Sequence, residues 1–185
     1  MHHTLVAYVE DKPGVLNRVA SLFRRRAFNI ESLAVGHTDQ PGVSRMTIVV
    51  DSDELGARRL EANLYKLVNV LRVEDVTNEA AVVRDLALIK VAANSQTRAQ
   101  VMQLCDVFRA RVVDVTNESL VIEITGTEDK LDGLMEVLRP YGIIEMVRTG
   151  IVAMRRGPNA VNPDPPMVAA HVPAEAVDPA VSYSV

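Results

Sequence analysis

Apolar and polar positions along the chain switch between two periods, and the switching defines the elements. Residues 4–10 set Leu5, Ala7 and Val9 against Thr4, Val6 and Tyr8, the period-two pattern of a strand. Val15, Leu16, Val19, Leu22 and Phe23 then recur at helical spacing. Arg24, Arg25 and Arg26 suit the end of that helix, where positive charge offsets the dipole. Residues 28–35 and 43–50 read as strands, joined through the turn chemistry of Pro41-Gly42. Asp51, Asp53 and Glu54 mark the acidic start of a second helix, with Leu60, Leu64 and Leu67 as its apolar stripe. Residues 70–77 predict a fourth strand. The order is βαββαβ.

The same order then recurs. Residues 86–92 predict a strand, and Ser95 is the expected N-cap of a helix presenting Val101, Leu104, Cys105 and Phe108 on one face. Residues 112–116 and 120–125 predict strands joined through Asn117-Glu118-Ser119. Thr127 is placed to cap a helix carrying Leu131, Leu134, Met135 and Leu138. Pro140-Tyr141-Gly142 ends it, and residues 143–154 predict one last strand. The phrase Asp-Val-Thr-Asn-Glu stands at 75–79 and at 114–118, at non-equivalent places in the two units, so it is no evidence of duplication. The repeated order of elements is. The fold class is α+β, two tandem ferredoxin-like βαββαβ units. Helices on one face of such a sheet leave its other face and its edges in need of cover, and a dimer is the usual solution. The boundaries expected are a first unit over 1–78, a linker over 79–84, a second unit over 85–156 and a flexible tail over 157–185. The tail holds six of the nine prolines, three acidic groups and no Lys or Arg, without helical or strand period.

Composition narrows the function. The 185 residues carry 20 Lys+Arg and 24 Asp+Glu, a formal net charge of −4, which argues against general nucleic-acid binding through phosphate contacts. Aromatics are only 4% and Trp is absent, leaving few platforms for stacking. The single Cys105 excludes an intrachain disulfide and fits a reducing, cytoplasmic setting. No apolar run approaches the ~20 residues of a membrane span, and the N-terminus carries no targeting pattern. The four histidines lack ligand spacing, so no metal site is expected. No nucleophile–base set, phosphate loop or carboxylate pair stands out, so the chain alone offers no catalytic residues.

Two stretches carry chemistry. Glu10-Asp11-Lys12-Pro13-Gly14-Val15-Leu16 lies where the first strand turns into the first helix. Pro13 needs no amide partner at a helix start, and Gly14 admits a close approach to the backbone. The amides of Gly14, Val15 and Leu16 would then face outward as an anion site suited to one carboxylate. Asp11 would accept from a ligand ammonium or cap the helix; an ordinary capped helix with a tight turn accounts for the same residues. The second stretch is Phe28-Asn29-Ile30-Glu31-Ser32-Leu33, in which Asn29 and Glu31 share a face. Asn29 can donate to a carboxylate and accept from an ammonium at once, or simply satisfy backbone groups near a turn. A small ligand bearing both charges is an amino acid.

Together these stretches resemble the ACT domain, an amino-acid-binding regulatory module. More narrowly, Val9 to Leu16, Arg24 to Leu33 and Ser44 to Ile48 are similar to the small regulatory subunit of acetolactate synthase. Lys66 to Val73, Phe108 to Thr116, Gly126-Thr127 and Lys130 to Asp132 continue the likeness, which covers roughly residues 2–156 in order. The resemblance implies a non-catalytic chain that binds and activates a large subunit using thiamine diphosphate, Mg²⁺ and FAD, within branched-chain amino acid biosynthesis. It implies feedback inhibition by valine or another branched-chain amino acid held between paired N-terminal ACT domains of a homodimer. Carried onto this sequence, the effector residues are Asp11, Pro13, Gly14, Val15 and Leu16 of one chain with Asn29 and Ile30 of its neighbour. Asp11 stands where such proteins also use Asn; it keeps an acceptor and adds charge near a ligand carboxylate. The second unit lacks the Pro-Gly loop and is expected to serve dimerisation or large-subunit contact.

Other readings were open to the same pattern. Cys105 on an apolar stripe reads as core, and the arginines 24–26 read as a solvated helix end or a docking surface. RNA-recognition motifs share the element order, but they stack bases on central-strand aromatics, and Arg45-Met46-Thr47-Ile48-Val49-Val50 has none. An ACT-type sensor serving a different enzyme is the alternative that the residues leave standing.

Overall fold

A computed structural model describes residues 1–157; the expected tail lies outside the described residues apart from Gly157. The first unit contains β1 (His2–Glu10), α1 (Val15–Arg25), β2 (Ile30–His37), β3 (Val43–Asp51), α2 (Glu54–Leu64) and β4 (Val70–Asp75). The second contains β5 (Ala81–Ala92), α3 (Arg98–Phe108), β6 (Arg111–Val115), β7 (Ser119–Gly126), α4 (Glu128–Leu138), β8 (Ile143–Arg148) and β9 (Val152–Arg155). The sheets are antiparallel with strand orders β2-β3-β1-β4 and β6-β7-β5-β8. Two ferredoxin-like units in tandem are what the sequence pattern predicts.

Each unit has its own core. Leu5, Ala7 and Val9 of β1 and Met46, Ile48 and Val50 of β3 meet Val19 and Phe23 of α1 and Leu60 and Leu64 of α2. Ala87, Ile89 and Val91 of β5 meet Leu120, Ile122 and Ile124 of β7 under Val101, Cys105, Leu131 and Leu134. Both sets follow from strand alternation matched to helical stripes. Leu16 departs from its stripe and stands 45% exposed, while Leu67 lies beyond the end of α2 and packs on the first core from a loop.

Helix ends show where local chemistry overrides simple cap signals. Asp53 caps α2 by accepting from the Gly56 amide at 2.7 Å, whereas Asp51 is still in β3. Ser95 is not the cap of α3. Thr97 holds that position, and the Asn94 carboxamide oxygen takes the Gln96 and Thr97 amides at 2.9 and 3.0 Å. Thr127 does occupy the N-cap of α4, but its backbone carbonyl rather than its hydroxyl accepts there. α1 ends with Ala27 in the left-handed region (φ 56°), the Phe28 amide donating to Phe23 and the Ala27 amide to Arg24. That is the hydrogen-bond pattern of a Schellman cap, and α3 repeats it with Arg109 (φ 52°).

The final stretch is not one strand. Gly150 (φ 83°) separates β8 from β9, and β9 leaves the second sheet's main path to pair with Ala81–Arg84 of β5. The segment expected as a linker over 79–84 is therefore largely strand. The β5–β9 ribbon lies against the helix-free face of the first sheet, where Val6, Val76 and Ala153 are buried and Tyr8 and Val83 pack on them. The Arg45 guanidinium sits 5.7 Å from the Tyr8 ring and donates to the Ala153 carbonyl. Part of the face assigned to a dimer partner is thus covered within the chain.

Arg148 locks the second unit. It reaches Asp85 at 2.6 Å, Asp132 at 3.1 Å and Glu128 at 3.9 Å, and Asp85 is only 3% exposed. Arg148→Met should destabilise the chain by about 3–5 kcal/mol, since it strands a buried carboxylate. By contrast, Ala27→Gly should stabilise it by about 1 kcal/mol by relieving the left-handed position. Urea unfolding of each variant beside the parent measures both shifts.

Candidate functional site

The Pro13-Gly14 bend is built as a tight turn. Gly14 has φ 83° and ψ −6° as the residue preceding α1, and the Val15 amide closes back on the Lys12 carbonyl at 3.3 Å. These are the features of a type II turn with Pro and Gly at its two central positions. The turn is held from three sides. Asp11 donates its amide to Gly42 at 2.8 Å, Glu10 donates its amide to Asn69 at 2.9 Å, and the Arg18 amide reaches the Gly14 carbonyl at 3.0 Å. Of the three amides expected to face outward, Val15's is therefore occupied by the turn. Those of Gly14 and Leu16 make no hydrogen bond among the described residues. A Cβ placed on Gly14 would meet no atom within 4 Å, so the bend opens on free space.

Asp11 does not cap α1, which has no side-chain cap. Its carboxylate instead stands 3.3 Å from His37 Nδ1 at the far end of β2. Val15 is buried in the core, and exposed Leu16 supplies an apolar wall beside the open amides.

Asn69 was not singled out by sequence reasoning as a site residue. It is 8% exposed, donates its side-chain amide to the Glu10 carboxylate and accepts from the Arg18 guanidinium. One buried side chain thus ties the last residue of β1 to α1 and fixes the bend between them. The Asn69 hydrogen bond first, and Lys12 second, hold the Glu10 carboxyl below its usual range. The available signal was a lone Asn within Leu67-Val68-Asn69-Val70-Leu71, where a buried polar group needs partners.

Asn29 is exposed just ahead of β2 and donates to Glu31 Oε1 at 2.6 Å. That bond leaves the Asn29 oxygen and one amide hydrogen free for a ligand. Ile30 is half-buried against the first core. The structure does not bring these residues to the bend. Ile30 pairs with Val50, and His37 pairs with Ser44 beside the bend, so the two halves sit at opposite ends of β2, about 23 Å apart at strand rise.

The second unit offers no equivalent. Its helix start spends the Gln96 and Thr97 amides on Asn94. Cys105 is buried, which pushes its thiol up. Among the described residues no cluster of three or more His, Cys, Asp or Glu is placed to hold a metal, and no helix is long and apolar enough to cross a membrane.

Comparison with known proteins fits this layout. Residues 5–72 match the model of the AHAS small subunit-like ACT domain, and residues 84–157 match that of the small subunit of acetolactate synthase. The acetolactate synthase small subunit of Mycolicibacterium smegmatis is 52% identical over 159 residues, 86% of this chain and 94% of that protein. This chain belongs to the acetolactate synthase small-subunit family. A probable acetolactate synthase small subunit of Archaeoglobus fulgidus is 50% identical over 157 residues, covering 85% of this chain and 98% of its own length. The crystal structure of the Thermotoga maritima acetolactate synthase small subunit superposes with a TM-score of 0.80 at 40% identity, covering 85% of this chain and 98% of that one. The likeness spans both units, so their tandem arrangement is a property of the family.

Asn69→Ala tests the support of the bend. The Glu10 carboxyl should return toward the ordinary carboxylate range, seen by NMR titration. A depressed carboxyl stabilises the fold above its unfolded value and loses that contribution as pH falls through its folded value. The variant should therefore lose part of the acid-dependent decline in stability, besides about 1–3 kcal/mol from unpaired polar groups at all pH values.

Proposed function

We propose that this chain is the regulatory subunit of an acetolactate synthase holoenzyme: it activates a catalytic large subunit and confers feedback inhibition by valine. Its place is branched-chain amino acid biosynthesis, and thiamine diphosphate, Mg²⁺ and FAD are assigned to the large subunit. The observation that carries the effector reading is the division of the site between the two ends of one edge strand. β2 is an edge of the first sheet, with β3 on one side only. If two copies pair antiparallel along β2, Asn29 of each comes beside the His37 end of the other, where Asp11 and the bend stand. The separation that disqualifies a site within one chain becomes two complete sites across a twofold axis.

The chemistry of each composite site suits an α-amino acid. The Gly14 and Leu16 amides at the start of the 11-residue α1 receive a carboxylate. Asp11 and the free Asn29 oxygen accept from the ammonium. Leu16 of one chain and Ile30 of the other present apolar surface to a branched side chain. Binding then favours one arrangement of the dimer, and a coupling of about 1–3 kcal/mol suffices for a 5- to 150-fold effect on the enzyme. An ACT-type sensor of a different enzyme would use the same site, and differs only in what it captures.

Gly14→Asp places a carboxylate in the open space in front of the amides, and Asn29→His removes the bifunctional carboxamide. Each should weaken valine binding by about 10- to 100-fold, the loss of one or two charge-assisted hydrogen bonds. Feedback should vanish and activation of the large subunit should persist. Calorimetry with valine, leucine and isoleucine, followed by assay of the reconstituted holoenzyme, reads both. Full inhibition of either variant at the parent's valine concentration refutes the site. Valine binding without capture of a thiamine-diphosphate enzyme points to the other sensor.

A further inference from the structure

The two units have separate, complete cores, and few groups join them. Three buried side chains, Val6, Val76 and Ala153, centre the seam. Arg155 adds ion pairs to Glu74 and Glu79, each at 3.4 Å. From β2, the strand whose start carries Asn29, one hydrogen bond crosses the seam among the described residues: the Ile151 amide donates to Ser32 Oγ at 2.8 Å. The strand is irregular at this point. Ile30 pairs with Val50 and Ser32 with Val49, so Glu31 is an extra, bulged residue between the effector half-site and the seam. Glu31 is also the partner of Asn29.

On the other side of the bond, Gly150 lies at the turn between β8 and β9 with φ 83°. A Cβ there would come within 2.7 Å of Ser32 Oγ, so any larger residue would push on the Ser32 hydroxyl, and the positive φ itself favours glycine. Arg148, two residues back, anchors the turn to Asp85, Glu128 and Asp132 of the second unit. A cleft of about 350 Å³ opens here between Glu31 and Ser32 on one wall and Arg148 and Gly150 on the other. The bulge at Glu31 loosens the register of β2 beside Ser32, while Arg148 anchors the turn.

We propose that the Ser32–Ile151 hydrogen bond, seated on the Gly150 turn, is the joint that passes occupancy of the effector site to the C-terminal unit. Ser32 acts as a positioning residue and does not touch the effector. The inference rests on the effector reading above. A ligand that draws Asn29 and Ile30 toward a second copy moves the Glu31 bulge, and the bulge moves Ser32 against a fixed partner. The relative placement of the two units changes with it, because the small seam yields before either core does.

Linkage gives a test independent of turnover. If the joint transmits, the large subunit changes the valine Kd of this chain, and the change is reciprocal. Calorimetric titration of the full chain with valine, alone and with saturating large subunit, should show a shift within about 5- to 150-fold for the parent. Ser32→Ala alone should bind valine within about twofold of the parent. With the large subunit present its shift should shrink to less than about twofold, and maximal valine inhibition of the holoenzyme should fall while activation stays. A Ser32→Ala chain that retains the parent's shift and full inhibition overturns the joint and leaves the effector reading intact. Absence of valine binding by the parent overturns the effector reading itself and the joint with it. If Ser32→Ala does not assemble with the large subunit, Gly150→Ala, which drives a methyl group into Ser32, is held to the same two outcomes.

Discussion

A four-stranded sheet with helices on one side must hide its other side, and this chain does part of that with its own backbone. The first sheet turns Val6, Tyr8 and Thr47 away from the helices, and the β5–β9 ribbon covers the centre of that face. Everything that relates the two units follows from this packing. It requires β5 to start early, within the stretch that reads as a linker, and it requires the chain after β8 to swing back across the seam. Gly150 makes that swing possible. The second sheet has no such cover among the described residues, and Val147, paired with Leu88 on the side away from the core, remains exposed. The tandem is therefore asymmetric even though its halves share one topology.

The element order and both cores were legible in the sequence because they rest on local periodicity. Leu5, Ala7 and Val9 alternate, Leu131, Leu134 and Leu138 recur at helical spacing, and burial follows each pattern. What escaped was set by partners distant in sequence. Residues 143–154 look like one apolar strand, and the break at Gly150 sits against Ser32, more than a hundred residues earlier. Ser95 looks like a cap, but Asn94 is better placed to take two amides at once. Asp11 looked free to cap or to bind, and the side chain that meets its carboxylate, His37, lies at the end of β2 opposite Asn29. Asn69 was hidden for the same reason, since its importance lies in Glu10 and Arg18. The bend itself was readable because Pro13-Gly14 has few conformations open to it.

The two helix starts show how one fold is given different chemistry. In the first unit a Pro-Gly turn spends a single amide, that of Val15, on closing itself and leaves its neighbours unpaired. In the second, the Asn94 side chain folds back and takes the amide of the N-cap Thr97 together with that of Gln96 before it. An anion approaching the N-cap amide of the first finds a donor without a partner; at the N-cap amide of the second it meets one already bonded to Asn94. The cost of leaving amides open is modest, because at the surface water serves them until a ligand arrives. The chemistry of a helix start can therefore differ between the units without altering the architecture of either.

A site divided between the ends of an edge strand also constrains how binding can act. In the proposed effector site neither half would retain a small amino acid alone, since each offers only part of the donors and acceptors such a ligand needs. Occupancy of the proposed site would thus be tied to the geometry of a pair of chains rather than to the shape of one pocket. The edge strand that would meet its counterpart in a second copy carries a bulge at Glu31, which relaxes its register. The bend at the other end is rigid by comparison, pinned through Asp11, Glu10 and Asn69. Under the proposed effector reading, a pinned donor half and a bulged acceptor half would convert the capture of one metabolite into displacement of a strand, and that strand touches the second unit at Ser32.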